Sequence, residues 1–196
     1  WEEGDLDWVH TACQDEEIQR WTEVPVPYLR EHAEGFVGEF AGATWAAGGA
    51  HFAVETVDGG HLTGAVSLFP PRDGVGVAGY WTGAARRGQG YTAEALGVLS
   101  AWAFEEVGLR RMELVVDPAN TGSGRVAESA GFRAEGVLRQ RSMHHARART
   151  RHVDHLLGEI DNGEFVGIAD IDRTGHGVGR VHQADQTVDQ IVDIAE

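Results

Sequence analysis

The spacing of hydrophobic residues changes partway through the first half of the chain. Over 6–20 and 28–40 apolar residues recur every three or four positions, which predicts two helices. From His51 to Thr82 they run in short blocks separated by glycine- and proline-containing turns. These blocks predict antiparallel strands at 51–57, 61–69 and 75–82, with turns at 58–60 and 70–74.

The second half alternates between helical and extended patterns. It predicts helices at 91–107 and 123–130, and strands at 110–116, 132–141 and 151–160. The resulting order, α-α-β-β-β-α-β-α-β-β, is typical of an α+β (mixed-sheet α/β) domain with a mostly antiparallel central sheet flanked by helices. We expect this domain to span 1–160 and to be followed by an acidic extension at 161–196.

Charge and composition narrow the function classes. The net charge is −15, all 16 basic residues are arginine, and 11 of them lie between Arg86 and Arg151. The strongly negative net charge argues against a nucleic-acid partner. It suits a cationic substrate such as an amine, although a solvated acidic surface is the alternative. The chain has one cysteine, Cys13, which we expect in the core, and no apolar run long enough for a membrane span. Its acidic start does not resemble a secretory signal, so we expect a cytoplasmic protein.

A glycine loop before the 91–107 helix predicts a phosphate or pyrophosphate site. Gly88 and Gly90 allow close backbone approach, and the helix start adds free N–H donors. A nucleotide-triphosphate loop needs a lysine, and the chain has none. The sequence Gly88-x-Gly90-x-x-Ala93 also fits the dinucleotide-binding pattern G-x-G-x-x-A. In that motif the first glycine follows its strand closely within a parallel unit, whereas here five residues separate the two and the preceding strands are predicted to be antiparallel. The third alternative is the pyrophosphate arm of coenzyme A.

Four motifs resemble one family, in its order and spacing, over about 15–160. Residues 87–92 (RGQGYT) resemble the R/Q-x-x-G-x-G/A motif of the GNAT acetyltransferases, and 79–82 resemble that family's splayed central strand. Residues 117–123, 130–136 and 151–155 resemble the N-x-x-S, G-F-x-x-E-G and R-x-x-D-H motifs of its ribosomal-protein (Rim-type) branch. The resemblance implies the GNAT acyl-CoA N-acyltransferase fold and acetyl-CoA as co-substrate, without a metal. It further implies direct attack by a primary amine in a ternary complex, the amine being a protein N-terminus or a small molecule.

The resemblance also assigns site residues. Ser123 becomes the proton donor to the leaving thiolate; the alternative is that Ser123 only caps the helix that follows. Asn120 would contact the cofactor arm, with an Asx turn as the alternative. The complete set of cofactor-binding residues implied by the resemblance is Tyr80, Trp81, Thr82, Arg87, Gly88, Gln89, Gly90, Tyr91, Thr92 and Asn120.

The chain departs from the family pattern in ways that leave alternatives open. Residues 139–143 lack the carboxylate that serves as base in Rim-type enzymes, so water, His144 or His145 are the candidates. Thr92 stands where the motif has glycine or alanine. His144, His145, His152 and His155 could suggest a metal site, but residues three apart in a strand point to opposite faces and no cysteine joins them.

The remaining alternatives concern the acceptor and the tail. An antibiotic or polyamine acetyltransferase of the same fold, or a non-catalytic CoA-binding module, fits the same motifs, and a homodimer is compatible with both. The family's first strand is missing from the pattern. The tail is therefore either disordered, as its acidic composition suggests, or 164–171 adds a strand to the sheet edge. A weak amphipathic pattern through Val181, Val188, Ile191 and Val192 predicts a short helix near the end.

Overall fold

The computed structural model describes residues 1–144, 151–161 and 178–182, with backbone alone from residue 140 onward. The helices are α1 (Leu6–Ala12), α2 (Glu16–Trp21), α3 (Arg30–Gly35), α4 (Ala41–Ala46), α5 (Tyr91–Glu105) and α6 (Thr121–Ser129), with a π-helical turn at Phe36–Phe40 and 3₁₀ turns at Glu3–Asp5 and Ala84–Arg86. The strands are β1 (Ala50–Thr56), β2 (Leu62–Arg72), β3 (Val75–Thr82), β4 (Arg111–Val116), β5 (Arg133–His144), β6 (Arg151–Asp161) and β7 (Val178–His182).

The strands form one sheet in the order β5-β6-β4-β3-β2-β1-β7. Only β3 and β4 pair in parallel; the other five neighbouring pairs are antiparallel. The predicted α+β fold with a mostly antiparallel sheet is confirmed. Because β3 and β4 are parallel, their carboxyl ends lie at the same edge of the sheet, next to the start of α5.

Each face of the sheet carries its own core. On one face, α5 packs on a cluster that includes Val66, Leu68 and Met112. On the other face, α1 to α4 and the turn between α3 and α4 cover a cluster that includes Ala53 and Ala65. Successive residues of β2 therefore serve opposite cores, as the two-residue period of a strand requires. Cys13 lies fully buried in the second core, where burial raises the pKa of its thiol to about 11.

The helical half differs most from the sequence-based expectation. The predicted helix at 6–20 is two helices, because the Asp15 carboxylate accepts hydrogen bonds from the N–H groups of Glu17 and Ile18 and starts α2 anew. The helix α4 was not predicted. Pro70 and Pro71, expected in a turn, continue β2 toward Arg72.

The tail also differs. Val181, expected in a helix, lies in β7, which pairs antiparallel with Ala53–Thr56 of β1. The segment 164–171 and the positions Val188, Ile191 and Val192 lie outside the described residues. The tail segment 178–182 does add a strand beside β1, and the expectation for 164–171 stays a prediction.

Candidate functional site

The parallel strands β3 and β4 separate before they end. Val75–Ala78 pair with Arg111–Leu114, but the next residues of β3 stay hydrogen-bonded to β2, while Val115 and Val116 stay with β6. We call the resulting gap between Gly79–Thr82 and Val115–Val116 the wedge. Backbone groups of β3 that do not bond β2 face this gap and are available to a ligand. Ligands of open α/β sheets bind at such carboxyl-end separations.

A glycine loop connects the wedge to α5. Gly88 and Gly90 adopt left-handed conformations, with φ of 73° and 88°, and a Cβ built on either would meet no heavy atom within 4 Å. Gly90 is the N-cap of α5, and no side chain in the described part of the chain caps this helix. The loop therefore presents open space in front of free N–H groups and the positive end of a 15-residue helix dipole.

Arg87 lies at the edge of this loop. Its Nε donates to the Thr82 carbonyl oxygen at 3.2 Å, and its Nη2 forms an ion pair with Asp15, the N-cap of α2. Burial raises the pKa of Asp15, but hydrogen bonds from Arg87 and the Ile18 N–H more than offset this, so that the pKa lies below its usual value. The contact joins the loop to the helices of the opposite face.

Two hydroxyl contacts line the α5–α6 face of β3. Thr82 Oγ1 contacts Thr92 Oγ1, which ties the end of β3 to the first turn of α5. Tyr80 Oη lies 2.7 Å from Ser123 Oγ and 2.9 Å from the Ser123 carbonyl oxygen. Since that carbonyl only accepts, Tyr80 donates to it when Ser123 donates to Tyr80 Oη. Burial raises the pKa of Tyr80 to about 12, partly opposed by its hydrogen bond with Ser123, so the Tyr80 hydroxyl stays protonated at neutral pH.

The N-cap of α6 is Asn120, which excludes the alternative that Ser123 only caps this helix. The helix begins at Thr121, and the Asn120 Oδ1 accepts a hydrogen bond of 3.0 Å from the Ser123 N–H. Asn120, and not Ser123, caps the helix, which leaves the Ser123 hydroxyl free to contact Tyr80.

The opposite face of β3 presents an indole. Trp81 stacks on Trp8 at 5.5 Å and on Trp1 at 6.3 Å between ring centroids. Because neighbouring strand residues alternate, the wedge has hydroxyl groups on one face and aromatic rings on the other.

The structure brings the residues implied by the motifs to one edge of the sheet. Tyr80, Trp81 and Thr82 lie along the wedge, Arg87, Gly88, Gln89 and Gly90 form the loop, Tyr91 and Thr92 start α5, and Asn120 and Ser123 start α6. From the sequence, Tyr80 was expected to contact the cofactor through its backbone, and a role for its hydroxyl was not predicted. The strand alternation indicates its face, but not its contact with Ser123, 43 residues away.

Other candidates fall partly or wholly outside the described residues. His145 and the side chains of His144, His152 and His155 are among them, so their proposed roles as base or ligands stay predictions. Within the described residues no group of three His, Cys, Asp or Glu could hold a metal ion. No helix in that part of the chain is long and apolar enough to cross a membrane.

Comparisons with known proteins identify a family for this chain. The family model for the acetyltransferase (GNAT) domain matches residues 1–133. "Probable N-acetyltransferase YjcK" of Bacillus subtilis (strain 168) is 40% identical over 93 residues, which cover 46% of this chain and 51% of that protein. The chain thus spans about half the length of the curated relatives it matches.

Solved structures show the same fold at low sequence identity. Mycobacterium smegmatis RimJ, in complex with CoA-disulfide, has a TM-score of 0.71 and 23% identity, over 84% of this chain and 80% of that one. A spermidine N-acetyltransferase from Vibrio cholerae, in complex with CoA and spermine, has a TM-score of 0.66 and 19% identity, over 84% and 94% of the two chains.

Proposed function

The chain belongs to the GNAT acetyltransferase family, and from this premise we propose that it transfers an acetyl group from acetyl-CoA to a primary amine. The observation that carries the proposal is the continuous path from the glycine loop, along the wedge, to the hydroxyl pair of Tyr80 and Ser123. A polyanion fits the first part of this path, an extended amide-containing arm fits the second, and a leaving group that needs a proton fits the third.

The loop residues bind the pyrophosphate in this proposal. Open space beside Gly88 and Gly90 lies at the N-terminus of α5, where the first N–H groups have no partner within the helix, and Arg87 adds a guanidinium at the edge. Thr92 fits here because its hydroxyl bonds Thr82 and not the ligand. The departure from the family's glycine or alanine therefore leaves the loop open.

The wedge holds the substrate arm. Within the extended segment 80–82, alternate residues direct their backbone N–H and carbonyl groups away from β2, as an added strand would use them. A backbone N–H from this segment polarises the thioester carbonyl and stabilises the negative charge that develops there. Acetyl-CoA supplies the activated thioester; the chain supplies position and hydrogen bonds.

Ser123 and Tyr80 supply the proton to the leaving sulfur. The amine nitrogen forms a bond to the carbonyl carbon, the carbon–sulfur bond breaks, and Ser123 Oγ donates a hydrogen bond or its proton to the thiolate. A thiol pKa near 8.5 makes one such donor sufficient. Tyr80 holds the Ser123 hydroxyl at the wedge and can pass a proton to it, and water returns that proton to Tyr80.

The base and the acceptor stay open in this proposal. An α-amine with a pKa near 8 is partly neutral at pH 7 and can lose its proton through water, whereas a lysine-type amine near 10.4 needs His144, His145 or another base. The acceptor is a protein N-terminus or a small amine such as an antibiotic or a polyamine; the net charge of −15 favours a cationic one.

Calorimetric titration with acetyl-CoA tests the cofactor site. Gly90→Trp fills the loop, and Gly108→Trp is a matched control, because Gly108 also has a positive φ, of 75°, and open space, but lies at the far end of α5. We expect the parent and Gly108→Trp to bind and Gly90→Trp to lose at least tenfold in affinity. Equal binding by the two variants would overturn the site, and release of thiol with any amine would exclude a non-catalytic module.

A further inference from the structure

A buried histidine on the helical face lies outside the site described above. His51, in β1, is 2% exposed, and its Nδ1 lies 2.5 Å from Ser67 Oγ on β2. Within the described residues its Nε2 has no hydrogen-bond partner. A buried polar atom without a partner costs stability and calls for an explanation.

Aromatic rings surround this imidazole. The ring centroid of His51 lies 4.6 Å from that of Phe40 and 5.9 Å from those of Phe36 and Phe69. Phe40 and Phe69 are 48% and 42% exposed, which is unusual for rings so large. The unpartnered nitrogen therefore lies behind two rings that reach the protein surface.

The segment that carries two of these rings is irregular. Phe36 and Phe40 are the two ends of the π-helical turn between α3 and α4, and such turns are frequent at functional sites. Phe40 is half-exposed, and since exposed side chains change rotamer readily, the inference takes a rotamer change of Phe40 as the route to His51 Nε2.

The cluster is connected to the wedge. His51, Ser67 and Gly79 are neighbours across three adjacent strands, and Gly79 is the first residue of β3 beyond its last pairing with β4. The Phe69 ring covers Gly79, where an added Cβ would lie 3.0 Å from Phe69 Cε2. Two strand spacings place the cluster roughly 10 Å from the wedge.

We infer that the cluster of His51, Phe36, Phe40 and Phe69 binds the acceptor, with His51 Nε2 accepting a hydrogen bond from an N–H or O–H group roughly 10 Å from the amine that is acetylated. The substrate class is a primary amine with an apolar stem and a distal hydrogen-bond donor. The inference rests on the proposed acetyl transfer. The inference assigns to His51 the tautomer in which Nδ1–H donates to Ser67 Oγ, because this tautomer leaves the Nε2 lone pair for the acceptor.

Three series of amines of matched length test this assignment: straight-chain alkylamines, ω-amino alcohols, and ω-methoxy amines, all bracketing roughly 10 Å. In the parent, kcat/KM should be about tenfold higher for the alcohol than for the alkylamine near that length, the value of one hydrogen bond. The methoxy amine, which cannot donate, should resemble the alkylamine. An equal gain for the methoxy amine would overturn the role of Nε2 as acceptor.

Variants of the cluster should change the preference among acceptors without changing the binding of acetyl-CoA, which separates this inference from the proposed function. His51→Phe should bring the alcohol-to-alkylamine ratio to near one, while acetyl-CoA binding stays unchanged. Thr63→Val, a buried polar change in the same sheet, should keep the parent ratio. Phe40→Leu, at an exposed position, should change KM for the alcohols and not for acetyl-CoA, and it provides a second test if His51→Phe does not fold.

The possible failures are distinguishable. A preference for alcohols that survives both His51→Phe and Phe40→Leu, or that is absent in an active parent, overturns the acceptor cluster and leaves the acetyltransferase intact. A parent that binds acetyl-CoA but acetylates no amine of the three series overturns the inference together with its substrate class. A parent that does not bind acetyl-CoA overturns the proposed function itself.

Discussion

Acidification should destabilise this protein through His51. Burial lowers the pKa of the imidazole to about 4 from its ordinary value of 6.5, because the aromatic surroundings cannot solvate a cation. Each tenfold change in proton affinity is worth about 1.4 kcal/mol, so burial of the neutral ring contributes about 3 kcal/mol of pH-dependent stability.

The sign follows from the two states. Between pH 6.5 and about 4 the unfolded chain binds a proton at His51 and the folded chain does not. The contribution is therefore complete above pH 6.5 and is lost as pH falls toward about 4, with about 2 kcal/mol gone at pH 5.

Urea unfolding followed by tryptophan fluorescence at pH 7.5, 6 and 5 measures this loss. His51→Phe removes the titrating group, so its free energy of unfolding should fall less than that of the parent, by about 2 kcal/mol between pH 7.5 and 5. His61→Phe makes the same change at an exposed histidine. Its free energy of unfolding should fall with pH as much as that of the parent. Parallel curves for the parent and His51→Phe would refute the reasoning.

Four further changes test other contacts. Ser123→Ala should lower kcat for thiol release by roughly a hundredfold, with a smaller loss in Tyr80→Phe and no change in acetyl-CoA affinity for either; a fall in affinity in calorimetry would contradict this. Arg87→Gln should raise KM for acetyl-CoA, more so at low salt, with little effect on kcat. A chain that ends after position 177 should melt below one that ends at His182, by roughly 2–4 °C for each kcal/mol that β7 contributes; equal melting temperatures would show that β7 does not stabilise the sheet.

Local chemistry explains what the sequence could predict. Gly88 and Gly90 are predictable because left-handed backbone at a helix start favours glycine. The hairpin from β1 to β2 follows from the turn at 58–60, which lies between two apolar blocks. The helix α4 was missed because Gly42 and its small neighbours give no amphipathic stripe.

Contacts between distant residues explain the rest. Nothing in the spacing of Tyr80 and Ser123 indicates that their side chains meet, because sheet topology and helix packing decide it. The tail shows the same limit. The exposed edge of β1 favours an added strand, but 164–171 has five apolar residues of eight and 178–182 has two of five, and only the three-dimensional structure identifies 178–182 as a partner of β1.

The strand β3 explains how one short segment can serve two substrates. Tyr80 and Thr82 point to the α5–α6 face, where they contact Ser123 and Thr92, while Gly79 and Trp81 point to the face covered by α1 to α4. The backbone edge of β3 on the side away from β2 faces the wedge. In the arrangement we propose, a substrate arm in the wedge and an acceptor on the helical face would therefore contact successive residues of one strand. A change in register of a single residue would exchange their sides. The pairing of Gly64–Phe69 with Val77–Thr82 fixes that register, so the stability of the sheet and the geometry of the site depend on the same hydrogen bonds.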